Sequence, residues 1–488
     1  MKFRGGYNIM IQGRPSGYVT VLPDPDKLFL PLRSKRFNFS SVRVKEGQKV
    51  DTGDVLAVDS DNYDVPLLSP RGGVVKLSAK EGYIVLEDIS TVDEMPDYNK
   101  DNIPHAAIQM GENGEIRHKL LALGAWQNFY DAYTNELPDP LAEPQAVIVS
   151  TLSLEPFTTR GDVQMENRLL EFTRGLEYLQ KLLQYHPMYL VMPKVNSKLA
   201  SKVKEQIRGY AWVKLVEVPL EYTRANFNIL ARHIGLKRAD GPIWGVRTEG
   251  VLAVDRALTH TKASLVKILS VGGPGVKMPE HIKVMTGYPI ARIKEEYAID
   301  GETRLINGGF FTGDTISEDD LGIEAECNGI TIMPEHTKRE FLGWLRPGFD
   351  RSSYSNSFLS SICGKFTPRC GKFAERFTPT IRGEVRACVS CNFCEEVCPA
   401  GIMPHLIHKY LYADMIEEAD AARVDLCIEC GLCSFVCPSK IELRDEFIKA
   451  KVLIEEEKAE AEALRKKQEE TLKKEQEKRK ESSEETLY

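Results

Sequence analysis

Two segments of this 488-residue chain share one spacing, CVSCNFCEEVCP at 388–399 and CIECGLCSFVCP at 427–438, offset by 39 residues. Each reads C-x2-C-x2-C-x3-C-P. Only Cys327, Cys363 and Cys370, of eleven cysteines, lie outside the pair. Three cysteines this close converge their thiolates only on a tight turn. A fourth followed by proline leaves that turn in another direction and serves a second centre. The spacing therefore assigns one [4Fe–4S] cluster to Cys388, Cys391, Cys394 and Cys437. It assigns another to Cys427, Cys430, Cys433 and Cys398. Zinc sites usually pair two CxxC units, without the third cysteine and the Cys-Pro step. Disulfides do not suit a chain that starts without an export signal and gathers its cysteines in one window. Val389, Phe393, Ile428, Leu432, Phe435 and Val436 alternate with the ligands and are expected to shield the sulfurs from water. The remaining three cysteines have no matching spacing and are expected to be buried and unreactive.

The rest of the composition bounds the partners. A net charge of −7 gives no general basic surface, which argues against nucleic acid. The opening MKFRGGYNIMIQGRP has no apolar signal core. No run of about 18 apolar residues exists, so the expected membrane role is peripheral.

The expected fold class is multidomain α+β and α/β. Residues 1–100 alternate short apolar strands with Gly-rich turns, as in VRVKEGQKVDTGDVLAV and VPLLSPRGGVVKL. They resemble a barrel-sandwich (lipoyl-like) module without the modifiable lysine near VDSDNYDV. Residues 91–115 read as a polar linker. Over 116–257, strand runs AVIVSTL, MYLVMPK and WVKLVEVP alternate with helical stretches, predicting a parallel, Rossmann-like layer. Residues 258–350 predict a small β-containing module. GGPGV at 272–276 lacks a preceding strand, a following helix and a P-loop lysine, and reads as a structural turn. Residues 351–387 read as an irregular approach within a helical domain at 351–452. The segment between the cysteine motifs is predicted helical, and His405 and His408 read as one polar helix face rather than a metal pair. From 453 to 488 the chain is nearly all charge, predicting a solvated helix or disordered tail.

Phrases outside the cysteines carry a resemblance. GGYNIMIQGRP, LLALGAWQNFYDAY, GPIWGVRTEGVLAVDRAL, VGGPGVKMPEHIKVMTGYPI, RLINGGFFTGD, REFLGWLRPGF and SNSFLSS occur in one order from residue 5 to about 450. Together they resemble the A-type subunits of the Na+-translocating NADH:quinone reductases, which are similar in domain order to the C-type subunits of Rnf complexes. The resemblance implies a β-grasp (SLBB-like) module at 258–350. It also implies a peripheral protein at the cytoplasmic membrane face, working with membrane subunits, a quinone and a partner that carries flavin and oxidises NADH. The familiar A-type protein has lost most cluster ligands, whereas all eight stand here, as in the Rnf protein. The Rnf protein carries a GGAGFPT-like loop for flavin or nicotinamide phosphates. Here Gly124 is followed by Ala125, Trp126 and Gln127, so neither FMN nor NADH is expected on this chain. The expected role is one-electron transfer, with no acid–base set. An Rnf-type or cobalamin-reductase-type enzyme and an assembly scaffold with structural clusters are the alternatives.

Overall fold

The computed structural model describes residues 4–7, 11–90, 112–184, 186–195, 197–335, 379 and 384–485. They fall into two compact units, Met1–Arg382 and Gly383–Tyr488. Cys363, Cys370 and the phrases REFLGWLRPGF and SNSFLSS lie outside the described residues.

The first unit is a mixed α/β assembly of several sheets. Strands Leu28–Pro31, Tyr83–Glu87, Gly73–Lys76 and Lys49–Val50 make one antiparallel sheet, and Ser41–Val42, Val55–Asp59 and Val65–Leu68 make another. Leu28, Leu30, Leu56, Val75, Ile84 and Leu86 are fully buried, at alternate positions where strand pleating sends them inward. The turn at 60–64 holds Tyr63 and Asp64 in left-handed conformation and carries no lysine.

One strand departs from the expected module. Val19–Val21 pairs in parallel with Glu280–Met285, so the N-terminal residues join a different sheet. That six-stranded sheet also contains Val266–Gly272, Gly329–Pro334, Thr303–Asn307 and Asp314–Thr315. A three-residue strand carries too little pattern to reveal a partner some 260 residues away. GGPGV does follow a strand, Val266–Gly272, contrary to expectation. It links that strand to its antiparallel neighbour Glu280–Met285, and no helix begins there.

A further sheet has five strands, in the order Val213–Val218, Met188–Pro193, Ala146–Ser150, Ile243–Arg247, Phe129–Asp131. The first four strands are parallel, and the last is antiparallel. Ala146–Ser150 is buried on both faces, which explains its unbroken apolar run. Helices Leu169–Leu183 and Thr248–His260 cross at Gly175, where a Cβ would collide with the Val251 carbonyl oxygen. The polar linker is shorter than expected, because helix Glu112–Ala122 takes up its last residues.

The second unit is helical. Its cysteine motifs are followed by Pro404–Tyr412, Ile416–Ala421 and the long helix Leu443–Glu485. The segment between the motifs breaks into two helices, with Asp414 and Arg423 in left-handed conformation. No boundary occurs at 452. The helix runs through it, with Leu443, Phe447, Ala450 and Ile454 buried and the residues from Glu455 to Glu469 exposed. Its first three turns pack on the other helices of this unit, and the charged stretch that follows, to Glu469, is exposed.

Candidate metal centres

The two cysteine motifs fold as copies of one another. Ser390 and Glu429 precede the second cysteine with φ of 54° and 56°, and Asn392 and Gly431 follow it with φ of 62° and 74°. Each turn then enters a short helix, Phe393–Glu396 or Leu432–Val436, bearing the third cysteine. Gly401 and Lys440, three residues after the fourth cysteines, share φ of 72° and 60°. The next helices start at Pro404 and Leu443. Left-handed residues on both sides of the second cysteine curl the backbone back, which brings three sulfurs to one side of each turn.

The structure groups the eight cysteines around two cavities. Cys388, Cys391, Cys394 and Cys437 line one. Cys398, Cys427, Cys430 and Cys433 line the other. Thus each fourth cysteine lies with the triplet of the opposite motif. None is disulfide-bonded. Ile441, Leu443 and His405 complete the first wall, and Ile402, Pro404, Leu432, Phe447 and Arg444 complete the second.

Of the expected shielding residues, Leu432 and Val436 are buried, and Phe393, Ile428 and Phe435 are half-buried. Val389 is the exception, at 65% exposed. It stands between the first two cysteines of its turn and lines the edge of the first cavity. Ile441 and Leu443 are the buried apolar residues at that cavity, as Ile402 and Phe447 are at the second. The 39-residue offset could have singled out Ile402 and Ile441, since each stands four residues after a Cys-Pro cysteine.

Burial sets the chemistry of the thiols. It pushes Cys394 up to about 11, against the backbone N–H of His405 and with the neighbouring Cys391 and Cys437 adding to the rise. Burial pushes Cys427 up to about 11, opposed by the Glu429 N–H and by Lys451. Cys430 and Cys433 rise further, again through burial first, with Cys398 close enough to contribute. Buried thiols of this kind resist ionisation alone, and a bound cationic core reverses that balance. Among the described residues no three His, Cys, Asp or Glu side chains converge enough to hold a single metal ion. An all-cysteine donor set spread around an apolar cavity fits a multi-iron core.

The two histidines part company. His408 Nδ1 lies 2.7 Å from Glu446 Oε2 and ties Pro404–Tyr412 to the long helix. His405 lines the first cysteine cavity, its buried Nδ1 without a hydrogen bond and 3.7 Å from Glu395 Oε2. Cys327 is buried in the other unit, donates to the Gly329 oxygen, and is pushed up to about 12 by burial.

At the Gly124 loop, Trp126 is fully buried. It stacks on Phe129 at 4.5 Å, meets Trp244 edge-on, and donates Nε1–H to the Pro138 oxygen. Gln127 lines the adjoining cavity and donates to the Pro66 oxygen. The bulk at this loop is therefore core for Trp126 and cavity wall for Gln127.

Residues 112–215 match the family described as NqrA second alpha/beta domain, and 387–442 match the 4Fe-4S dicluster domain. Curated relatives include proteins named as the A-type component of Na(+)-translocating NADH-quinone reductase. The one from Psychromonas ingrahamii is 25% identical, covering 78% of this chain and 81% of that one. The one from Neisseria meningitidis is 25% identical, covering 86% and 91%. The one from Actinobacillus pleuropneumoniae is 26% identical, covering 78% and 82%. An NAD+-reducing [NiFe]-hydrogenase structure aligns over 48% of this chain and 50% of that one at 14% identity, with a TM-score of 0.36, too low to carry an argument. Among the described residues no helix is long and apolar enough to cross a membrane.

Proposed function

We propose that this chain is a peripheral electron-transfer subunit, of the A type, in a Na+-translocating NADH–quinone reductase complex at the cytoplasmic face of the membrane. It would carry two [4Fe–4S] clusters. The observation that carries the reading is the pair of four-cysteine cavities, in a chain similar to those relatives over most of its length. Cys388, Cys391, Cys394 and Cys437 would hold one centre, and Cys427, Cys430, Cys433 and Cys398 the other. When bound, such clusters supply one-electron transfer. The chain's own part is to fix eight thiolates, exclude water with Ile402, Ile441, Leu443 and Phe447, and offer backbone N–H groups to the sulfurs. No proton-transfer set is assigned.

The same reading makes the antiparallel sandwich over 28–87 the lipoyl-like module and the five-stranded layer the Rossmann-like domain. It makes the sheet around 266–334, with helix Ile290–Tyr297, the SLBB-like module. NADH oxidation would rest with a different, flavin-bearing subunit, and a quinone is a possible partner of the assembly. An intact set of eight cysteines also suits an Rnf-type or cobalamin-reductase-type electron carrier, which is the second reading.

The test is anaerobic purification of the full chain. About eight irons and eight labile sulfides per chain are expected, four for each cubane. Stoichiometric zinc, with no iron after anaerobic reconstitution, would overturn the assignment. Co-purification with membrane and flavin subunits of a quinone reductase distinguishes the first reading from the Rnf type.

A further inference from the structure

The first unit holds a cavity of about 220 Å3, well beyond the space of one ordered water. Strands Thr303–Asn307 and Asp314–Thr315 supply part of its wall, helix Ile290–Tyr297 another part, and the segment from Gly322 to Cys327 a third. Ile290, Ile323 and Ile330 are buried there, and Ile316 is half-buried. Among these apolar side chains stand Glu324 and Asn307, both half-buried. Asn307 Nδ2 donates to Glu324 Oε2 at 2.8 Å, and among the described residues nothing donates to Oε1.

We propose that this cavity binds a small organic ammonium ion with a short apolar body. The ammonium donates to the Glu324 carboxylate, and the body lies against Ile290, Ile316, Ile323 and Ile330. The site belongs to the other unit from the cysteines and does not depend on the electron-transfer reading.

The charges around the cavity favour a cation. Burial pushes the Glu324 carboxyl up to about 7, the Asn307 amide opposes this, and Glu326, Asp320 and Asp314 add to it. Asp314 and Asp320 line the same cavity. Lys35 lines it too, but is exposed, so solvent screens its charge. Tyr83 is neutral, its hydroxyl donating to the Asp319 oxygen and accepting from the Leu321 N–H. Cys327 donates to the Gly329 oxygen and is kept protonated by burial, so it adds wall and no charge. Ionised, Glu324 costs the fold stability. A glutamine would keep the Asn307 contact without that cost, and perturbed groups of this kind in a cavity mark binding sites.

The cation is an organic one. Among the described residues no three His, Cys, Asp or Glu side chains converge enough to hold a metal ion, and four isoleucines offer nothing to a hydrated one. One effect opposes binding, the cost of taking an ammonium out of water. The same low dielectric strengthens its attraction to Glu324, and the apolar body adds burial. The wall is held in place for this. A Cβ at Gly322 would collide with the Phe29 oxygen, and Ile323 exchanges backbone hydrogen bonds with Gly287 and Tyr288.

The test is calorimetric titration of the full chain with n-butylammonium, n-butyrate and n-butanol. At pH 8 n-butylammonium should bind with a millimolar or tighter dissociation constant, and the other two about tenfold more weakly or not at all. Its binding should weaken about tenfold at pH 6, where most of Glu324 is protonated. At pH 7 the heat should vary with the buffer, reporting about half a proton released per ligand bound, as the ammonium ionises the remaining Glu324. Shortening the chain should cost about fourfold per methylene. Glu324→Gln should weaken n-butylammonium about tenfold and remove the difference between pH 6 and 8. If that variant does not fold, proton release by the wild type decides alone. Binding retained in Glu324→Gln, butyrate bound as well as butylammonium, heat independent of buffer, or no binding of butylammonium at millimolar concentration each overturn the proposal.

Discussion

Cys437 shares its cavity with Cys394, not with Cys433 four residues before it. The Cys-Pro step turns the chain out of its own motif, and the start of the helix at Leu443 carries it beneath the other one. In the proposed arrangement each centre would therefore depend on both halves of the repeat. Cys437→Ser is therefore expected to damage the centre of Cys388, Cys391 and Cys394 and to spare the other. Iron should drop to about four per chain, with one of two sets of cluster signals lost. Loss of the Cys427–Cys430–Cys433 signals alone would sink the crossed arrangement.

The long helix divides at Ile454, the last buried residue before its exposed stretch. Deleting 455–488 removes the Lys458–Asp420 pair, an exposed contact worth at most about 1 kcal/mol. Iron content and co-sedimentation with membranes should be unchanged. Phe447→Ala should behave differently, because Phe447 is fully buried and walls the second cavity. A cost of about 3–5 kcal/mol is expected, read as a lower unfolding midpoint and early loss of iron.

Glu324 gives the first unit a pH dependence. Burial pushes its carboxyl up to about 7, against the Asn307 amide that donates to it, with Glu326, Asp320 and Asp314 adding to the rise. The folded state thus holds the proton more tightly than the unfolded chain, whose glutamate ionises near 4.5. Stability should fall as pH rises from about 4.5 to about 7 and level off above it. Glu324→Gln should flatten that slope, leaving the smaller part due to Glu326, whose carboxyl burial also pushes up, and raise stability at pH 8 by on the order of 2 kcal/mol. Melting temperatures of both proteins between pH 5 and 8 check this, and parallel curves would rule it out.

The Gly124 loop leads to a binding prediction. With Gln127 tied to Pro66 at the cavity wall, the isolated chain should bind neither FMN nor NADH tightly. Calorimetric titration should find no dissociation constant of micromolar or better, about −8 kcal/mol. A tight NADH complex would move the protein to the Rnf-like reading.

The sequence by itself determined what is local. Thiolate spacing, the Cys-Pro steps and the 39-residue offset are short-range, because a turn's conformation depends on the residues within it. So are the alternation in 42–58 and the apolar run at 146–150, whose burial follows from strand geometry. Packing over long separations decided the rest. Val19–Val21 finds its partner at Glu280–Met285, and Trp126 turns inward against Trp244. The long helix stays continuous across 452 because Ala450 and Ile454 bury one edge of it beside the charged stretch. His405 and His408, three residues apart, end in different surroundings, one on a cysteine cavity and one on Glu446. A side chain's chemistry is written in the sequence, but its neighbours are set by which surfaces the whole chain must cover.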